Sequence, residues 1–436
     1  MKYADHVKQV LTSLIRGMAD YPSLFVKKPH TDFSRKRKLS FEDTIRFLLS
    51  MEKSSMKAEL LKFFHYSSDT ATTSAFVQQR EKLLPEAMEF LFKEFNHAFP
   101  SQNTYQGYRL IACDGSQLDI ARNPEDTEYF WKRSEHRVGG NCLHLNTFYD
   151  LLDRRCVDVL VQPGRKKKES SAMTDMIDRY TGKEKTIFIA DRGYETYNIF
   201  GHVQQKEMYY LIRVKDGTQG GMVSGFSFPA MEEFDHMVSV ILTRKRTKEV
   251  KANPALYKRI RKEMSFDYLD VEKNIYYPIT FRVVRFKITE DTTECVITNL
   301  PREAFSSEEL KKLYGMRWGI ETAFRELKYA VGLNYFHAKK VAYILQEIYA
   351  RVILYNFCEL ITTAVVIQQK ERKYVYQVNY TLSIGICRHY LSCNKDIPPP
   401  DVEVLIEKNL LPVRPGRQNP RQVKQRSCIS FQYRTA

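Results

Sequence analysis

The sequence predicts an α/β fold, because strand-like and helix-like segments alternate through the middle of the chain. Five apolar runs have the composition and boundaries of strands, and they cover residues 108–115, 141–152, 155–164, 185–191 and 208–215. Helical patterns over 169–180 and 196–206 separate the last three runs. The resulting order is three strands, helix, strand, helix, strand. It is typical of a ribonuclease-H-like layer, in which the first three strands form a meander and later strands join by crossovers.

Residues 1–105 precede this layer and have the pattern of helices. Ser40 is a suitable helix N-cap ahead of the apolar positions that begin at Phe41, and two later helical pieces meet near Pro85. A basic run lies at residues 35–38. Clustered Lys and Arg on helices are typical of nucleic-acid-binding domains, although charged runs also occur on plain solvated faces.

One long helix is predicted over residues 307–331. Ser306 and Glu309 have the spacing of a capping box at its start, and only two glycines interrupt its helical composition. Five apolar residues form one face of this helix: Leu313, Met316, Ile320, Phe324 and Leu327. Four polar residues form a narrow stripe beside that face: Tyr314, Arg317, Glu321 and Lys328.

This polar stripe has two interpretations. Arg317 and Glu321 have the i, i+4 spacing of a stabilising pair on an ordinary solvated helix face. Trp318, however, lies beside the stripe and away from the apolar face, where a large aromatic side chain has little use without a partner. The second interpretation is therefore a functional surface.

The remaining segments complete a division of the chain into five regions. The insertion before the long helix is rich in strand-like runs, and its basic clusters at 244–248 and 258–262 either touch DNA or lie on solvated hairpin tips. The tail combines prolines with five cations typical of an extended basic arm: Arg414, Arg417, Arg421, Lys424 and Arg426. The predicted regions are a helical N-terminal domain (1–105), the first part of the core (106–216), the β-rich insertion (217–305), the second part of the core (306–395) and the arm (396–436).

Composition restricts the partners and the location. The 436 residues carry a net charge of +16, which indicates a polyanionic partner, most commonly nucleic acid and otherwise an acidic membrane surface. No apolar run is long enough for a membrane span and the N-terminus lacks a signal-peptide core, so we expect a cytoplasmic protein. The eight cysteines show no zinc-site spacing and are expected to be reduced core residues.

Three carboxylates are predicted to converge at one edge of the sheet. Asp114 closes the first strand, Asp191 closes the fourth, and Glu321 lies on the helix that packs against the sheet. Either aspartate alone could be a turn residue before its glycine. Three acids without a candidate nucleophile favour hard divalent cations, and two Mg²⁺ or Mn²⁺ ions can promote phosphoryl transfer between them.

Three motifs resemble those of the insertion-sequence-four family of bacterial DDE transposases. Asp114-Gly115-Ser116 and Asp191-Arg192-Gly193-Tyr194 resemble the contexts of that family's first two catalytic acids. Tyr314, Arg317, Glu321 and Lys328 match its Tyr-Arg-Glu-Lys signature at every spacing. The basic run at 35–38, the segment 74–83 and the PVRPGR stretch at 412–417 are also similar to family patterns.

The resemblance implies a cut-and-paste DNA transposase. Asp114, Asp191 and Glu321 would then be catalytic and hold the two metal ions, while DNA ends would be cleaved to free 3′-hydroxyls that attack target DNA, with hairpin ends as intermediates. Residues 1–105 would bind the terminal inverted repeats, and a homodimer would hold two ends, in a bacterial, nucleoid-associated setting. Four further residues would contact end DNA: Tyr314, Arg317, Lys328 and, around a flipped base, Trp318. Arg192 is a weaker phosphate candidate.

Two alternatives remain from the sequence. A metal-dependent nuclease or resolvase on the same fold would share the three acids without needing Tyr314, Arg317 and Lys328. A non-catalytic, transposase-derived DNA-binding protein would tolerate the loss of an acid.

Overall fold

The computed structural model describes residues 2–132, 138–216, 221–229, 231–270, 272, 275–365, 374–393 and 399–413. Its α-helices are α1 Tyr3–Asp20, α2 Phe41–Ser50, α3 Met56–Phe63, α4 Thr73–Lys82, α5 Glu86–His97, α6 Glu169–Asp178, α7 Tyr197–Gln205, α8 Lys248–Ala252, α9 Ser307–Met316, α10 Trp318–Arg325, α11 Val341–Ala364, α12 Tyr380–Ser392 and α13 Val402–Lys408. Its strands are β1 Arg109–Ile120, β2 Phe130–Trp131, β3 Gly140–Asp150, β4 Arg155–Pro163, β5 Thr186–Ala190, β6 Tyr209–Val214, β7 Phe234–Thr243, β8 Tyr257–Arg259, β9 Tyr277–Thr289, β10 Thr292–Thr298, β11 Tyr376–Gln377 and β12 Leu411–Pro412.

One large mixed sheet organises the molecule. The meander β1–β3–β4 is antiparallel, with β3 between the other two strands. Strands β5 and β6 then join in parallel on the other side of β1, through crossovers that contain α6 and α7. The mixed α/β architecture, the meander and the crossovers are as predicted.

The strands of the 217–305 region continue this same sheet. Strand β10 pairs antiparallel with β6, and β9, β7 and β8 follow in that order. Their apolar side chains join the core under α6 and α7, with Val238, Val240 and Ile279 buried beside Phe200. The insertion in sequence is therefore an extension of the sheet in space.

The N-terminal helices pack around α11. This helix is buried on nearly all sides and contacts α1, α2 and α5 as well as β4. Its apolar residues are spread around the whole circumference, as is typical of a helix buried in a core. Ser40 is the N-cap of α2, as predicted, and it forms the two reciprocal hydrogen bonds of a capping box with Asp43.

The long helix predicted over 307–331 is interrupted, so the prediction of one continuous helix is wrong. Helix α9 ends at Met316, α10 begins at Trp318, and residues Glu326–Val331 form a π-helical turn. Ser306 caps α9 as predicted, but the Glu309 carboxylate accepts hydrogen bonds from Tyr105 and Gln106 instead of closing the box.

The apolar face of this segment is buried as predicted, in two clusters. Leu313 lies in one cluster with β5 and β10, whereas Ile320, Phe324 and Leu327 pack in the cluster that contains α11. The break at Arg317 lies where the segment passes from one cluster to the other. Gly332, at a φ of +99°, ends the π-helical turn in the left-handed conformation that glycine adopts without strain.

Three further predictions concern membrane spans, the cysteines and the C-terminal arm. Within the described ranges, no helix is both long and apolar enough to cross a membrane. Seven cysteines are described and all are buried, in agreement with core positions, while Cys428 lies outside the described residues. All five cations predicted for the C-terminal arm also lie outside the described residues; the nearest described segment is β12, which pairs with β11.

Candidate active site

Asp114 lies in the middle of β1, so the prediction that it closes the first strand is wrong. The parallel pairing of β1 with β5 ends at the pair Cys113 and Ala190, but β1 continues along β3 to Ile120. Asp114 is thus the first residue of β1 beyond the end of β5. Its neighbours on the same strand face, Ala112 and Leu118, lie in the core cluster that includes α10.

Asp191 follows β5 directly, as predicted. Because Cys113 and Ala190 are paired, Asp114 and Asp191 are the next residues of two adjacent parallel strands. Asp191 is the N-cap of a short 3₁₀ turn, where its carboxylate accepts a hydrogen bond from the backbone N–H of Arg192. Its side chain remains about two-fifths exposed, at 40%.

Glu321 lies in the first turn of α10, which packs on β1. Its Oε1 is 3.0 Å from Nη2 of Arg317, which confirms the i, i+4 pairing expected from the stripe. Arg317 itself is 2% exposed, whereas the Glu321 side chain is 40% exposed. The acid therefore faces the surface while its cationic partner lies beneath it.

The pKa of Asp114 is set by its burial and by the charged groups around it, including the other two acids. Burial is the largest effect and raises this pKa to about 6. The backbone N–H of Gly115 and the charge of Arg317 lower it, whereas the negative charges of Glu321 and Asp191 raise it further. Asp114, Asp191 and Glu321 thus lie close enough for the charges of the last two to act on the first, from a strand, a turn and a helix.

Two of the acids of the site are paired with arginines in this structure, and the three are not arranged around a metal position. In the part of the chain that the structure describes, no three carboxylate, imidazole or thiolate side chains are placed to hold a metal ion. Instead, Arg317 pairs with Glu321, and Nε of Arg213 lies 3.1 Å from Oδ1 of Asp191. The donors nevertheless fit a hard divalent cation by their chemistry, because all three are carboxylates, and burial, with a smaller effect of the other two acids, already raises the pKa of Asp114.

Two aromatic rings, Tyr314 of the stripe and Trp318 beside it, lie close to Arg317. Its guanidinium carbon is 5.6 Å from the Tyr314 ring centroid and 4.9 Å from that of Trp318. Tyr314 is buried, which raises its pKa to about 12, and its hydroxyl has no hydrogen-bond partner among the described residues. Trp318 is 57% exposed, the position expected of a side chain that meets an external partner.

The two remaining predicted cations lie farther along the same surface. Lys328 is in the π-helical turn, and its Nζ donates a hydrogen bond of 3.0 Å to the backbone carbonyl of Gln117 in β1. Arg192 is exposed beside Asp191. Arg192 thus adjoins the second acid, whereas Lys328 lies beside β1 three residues beyond Asp114, in a turn that is not α-helical.

Arg213 and Glu294 were not identified from the sequence. Arg213 on β6 binds both Asp191 and Glu294 of β10, the latter with 3.0 Å between Nη1 and Oε1. A single arginine within the apolar strand run 208–215 was a signal that could have drawn attention to it. Glu294 gave no such signal, because its position depends on the pairing of β10 with β6.

Comparison with known proteins identifies the family. The model of the transposase DDE domain family matches residues 105–357, more than half of the chain. The chain therefore belongs to this family of DDE transposases, which use divalent metal ions. No match was found among the curated proteins. Among solved structures, the chain is similar to a piggyBac transposase in a synaptic complex with hairpin DNA, at 9% identity and a TM-score of 0.47, over 95% of this chain and 87% of the other.

Proposed function

We propose that this chain cleaves DNA at the terminal inverted repeats of a transposable element and joins the freed 3′-hydroxyl ends to target DNA. The observation that carries the proposal is the placement of Asp114 and Asp191 at the next positions of adjacent parallel strands, with Glu321 on the helix that packs on β1, within the segment that matches the transposase DDE domain. Membership of the insertion-sequence-four branch is part of the proposal and is supported by the Tyr-Arg-Glu-Lys spacing.

In this proposal the three acids hold Mg²⁺ or Mn²⁺, two ions per site. When bound, such ions supply positive charge that activates the attacking oxygen and stabilises the leaving oxygen of a phosphodiester. The sheet holds the Asp114 carboxylate on β1 and the Asp191 carboxylate directly after β5, while Glu321 is supplied by α10. Attack by water would release a 3′-hydroxyl, which then attacks the target strand in a second displacement.

The two arginines provide a means to receive DNA. Arg317 and Arg213 each bind a carboxylate of the site through guanidinium N–H groups. The same planar donors match a phosphate, often in a bidentate manner. We propose that they bind backbone phosphates of the end DNA once the carboxylates are occupied by cations, so that the charge of the site stays balanced in both states.

The surrounding residues complete the proposed interface. Trp318 is exposed enough to stack on an unpaired base, and Lys328 and Arg192 add positive charge beside it. Tyr314 would donate its unused hydroxyl hydrogen to a phosphate oxygen after a small rearrangement. Residues 1–105 would bind the terminal repeats, two protomers would form the synaptic complex, and hairpin formation would process the ends.

Strand cleavage and joining on the genomic flanks of the gene, with Mg²⁺ or Mn²⁺, tests the proposal. The Glu321→Gln variant should bind DNA but neither cut nor join it, because the substitution removes a negatively charged group proposed to hold the metal ions and hardly changes the size of the side chain. Glu308→Gln, at an exposed position of α9, is the matched control and should retain both activities. Cleavage without joining would instead favour a nuclease or resolvase, and binding without any cleavage by the native chain would favour a non-catalytic DNA-binding protein.

A further inference from the structure

The turn between β3 and β4 carries an arginine that the proposed chemistry does not use. Arg154 adopts a positive φ of 54°, and its side chain is largely covered. Its Nε donates to Oε2 of Glu359 on α11 at 2.9 Å, and its Nη2 lies 3.4 Å from Oε2 of Glu326. Its guanidinium carbon also lies 4.3 Å from the ring centroid of Tyr380, near the start of α12. One side chain thus joins four segments of the chain.

Glu326 is the first residue of the π-helical turn that follows α10. Its carboxylate is held on a second side by the Tyr355 hydroxyl, at 3.1 Å, and that hydroxyl is 3.2 Å from the hydroxyl of Tyr149. Burial raises the pKa of both Glu326 and Glu359, while the Arg154 charge lowers both. The Arg154 charge therefore offsets part of the cost of burying these two acids, although burial outweighs it at Glu359, whose pKa is raised to about 8.

The π-helical turn determines where Lys328 lies. A π-turn includes one more residue per hydrogen-bonded ring than an α-turn, and it shifts the residues after it relative to the preceding helix. Here Lys328 lies within the turn and donates to the carbonyl of Gln117, three residues beyond Asp114 on β1. Along the chain, Glu326 lies between Glu321 and Lys328, five residues after the first and two before the second.

We infer that Arg154 is a positioning residue: by binding Glu326 and Glu359 together, it fixes the π-helical turn 326–331 against α11 and so fixes Lys328 relative to Glu321. This inference rests on the proposed function insofar as Lys328 and Glu321 act on DNA. A lysine could not replace the arginine, because its compact ammonium group lacks the planar fork that reaches two carboxylates.

The first measurement is amide hydrogen exchange across 326–331 in the absence of DNA. Arg154→Met should speed this exchange at least about tenfold, which corresponds to a local opening easier by about 1.4 kcal/mol. Arg179→Met is the matched control, since Arg179 makes a comparable fork, at 2.7 Å, with Asp158 on β4 rather than with a residue of the turn 326–331. It should leave exchange in 326–331 unchanged.

Glu326→Gln provides a second route to the same result if Arg154→Met does not fold. It keeps the size of the side chain but weakens the contact with Arg154, so exchange in the turn should again be faster. If a folded variant of either kind exchanges at the native rate over 326–331, the positioning role is refuted, whatever the activity of the native chain.

The second measurement is a double-mutant cycle on the affinity for flank DNA. If Arg154 acts through Lys328, then Arg154→Met should add little to the loss caused by Lys328→Met, whereas Arg179→Met and Lys328→Met should have independent effects. Independent effects of Arg154→Met and Lys328→Met would contradict the inference. Failure of the native chain to cleave DNA would refute the proposed function alone, because neither measurement requires cleavage.

Discussion

The ion pair between Arg80 and Glu347 offers the sharpest test of how the N-terminal helices are attached to the rest of the protein. Arg80 on α4 and Glu347 on α11 are each at most 1% exposed, with 3.0 Å between Nη1 and Oε1. Glu347 also accepts hydrogen bonds from the backbone N–H groups of His337 and Ala338, at 2.9 and 3.1 Å. Burial opposes ionisation of this carboxyl, but hydrogen bonding to His337 and the charges of Arg80 and Arg351 hold its pKa well below the usual range.

Glu347→Gln should therefore be strongly destabilising although it changes almost no volume. The amide keeps one acceptor oxygen but places an NH₂ group where the native carboxylate accepts hydrogen bonds, and it leaves the Arg80 charge without a buried counter-ion. Breaking a buried pair from one side costs about 3–5 kcal/mol. The free energy of unfolding from urea denaturation, followed by circular dichroism, measures this loss.

Glu42→Gln is the control for this measurement. Glu42 binds Arg46 on the surface of α2, with side chains 30% and 26% exposed, so its loss should cost no more than about 1 kcal/mol. The pH dependence gives a further check. Because the pKa of Glu347 is lower in the folded state than its ordinary 4.5, its stabilisation is present above that pH and is lost as pH falls below it. A cost for Glu347→Gln equal to that of Glu42→Gln would refute the reasoning.

Three further predictions concern the candidate site. Gly115→Ala should cost about 1–3 kcal/mol in urea denaturation, because its Cβ would lie 2.2 Å from Nε2 of the buried His144, whereas Gly17→Ala, with open space around it, should not destabilise the protein. Mg²⁺ affinity measured by calorimetry should fall about tenfold per pH unit below the Asp114 pKa of about 6, since protons then compete with the cation, and Asp114→Asn should abolish this dependence. Trp318→Ala should change the free energy of unfolding by less than about 0.5 kcal/mol but weaken binding of end DNA by about 1–3 kcal/mol in a fluorescence assay; equal losses in both would contradict a stacking role.

Local patterns predicted the elements but not where each one ended. The apolar run of β5 placed Asp191 correctly at the end of that strand, because the strand is short and buried along its whole length. Asp114 was placed at a strand end because the continuous apolar run stops at Cys113, but pairing with β3 carries β1 onward through more polar residues. Backbone pairing with a partner strand therefore overrode the side-chain signal.

The long helix shows a second limit of the sequence. Spacing placed Arg317 beside Glu321 and put the apolar residues on a buried face, and both are found in the structure. The break at Arg317 and the π-helical turn were not predictable, because they depend on which cores the segment joins and on contacts such as Arg154 with Glu326. The partners of Arg213 were not predictable either, since pairing between the distant strands β6 and β10 brings Glu294 to it, beside Asp191.

The continuity of the sheet from β6 into β10 has a consequence for engineering this protein. The region 217–305 looks dispensable in sequence, like a module that could be trimmed to leave a minimal core. Its removal would strip β6 of its outer neighbour and leave a row of unpaired backbone groups open to other chains, a known route to aggregation. It would also delete Glu294, which holds Arg213 beside Asp191. The insertion thus contributes Glu294 to the contacts of Arg213, and a shortened protein would need a replacement edge strand before it could be tested for activity.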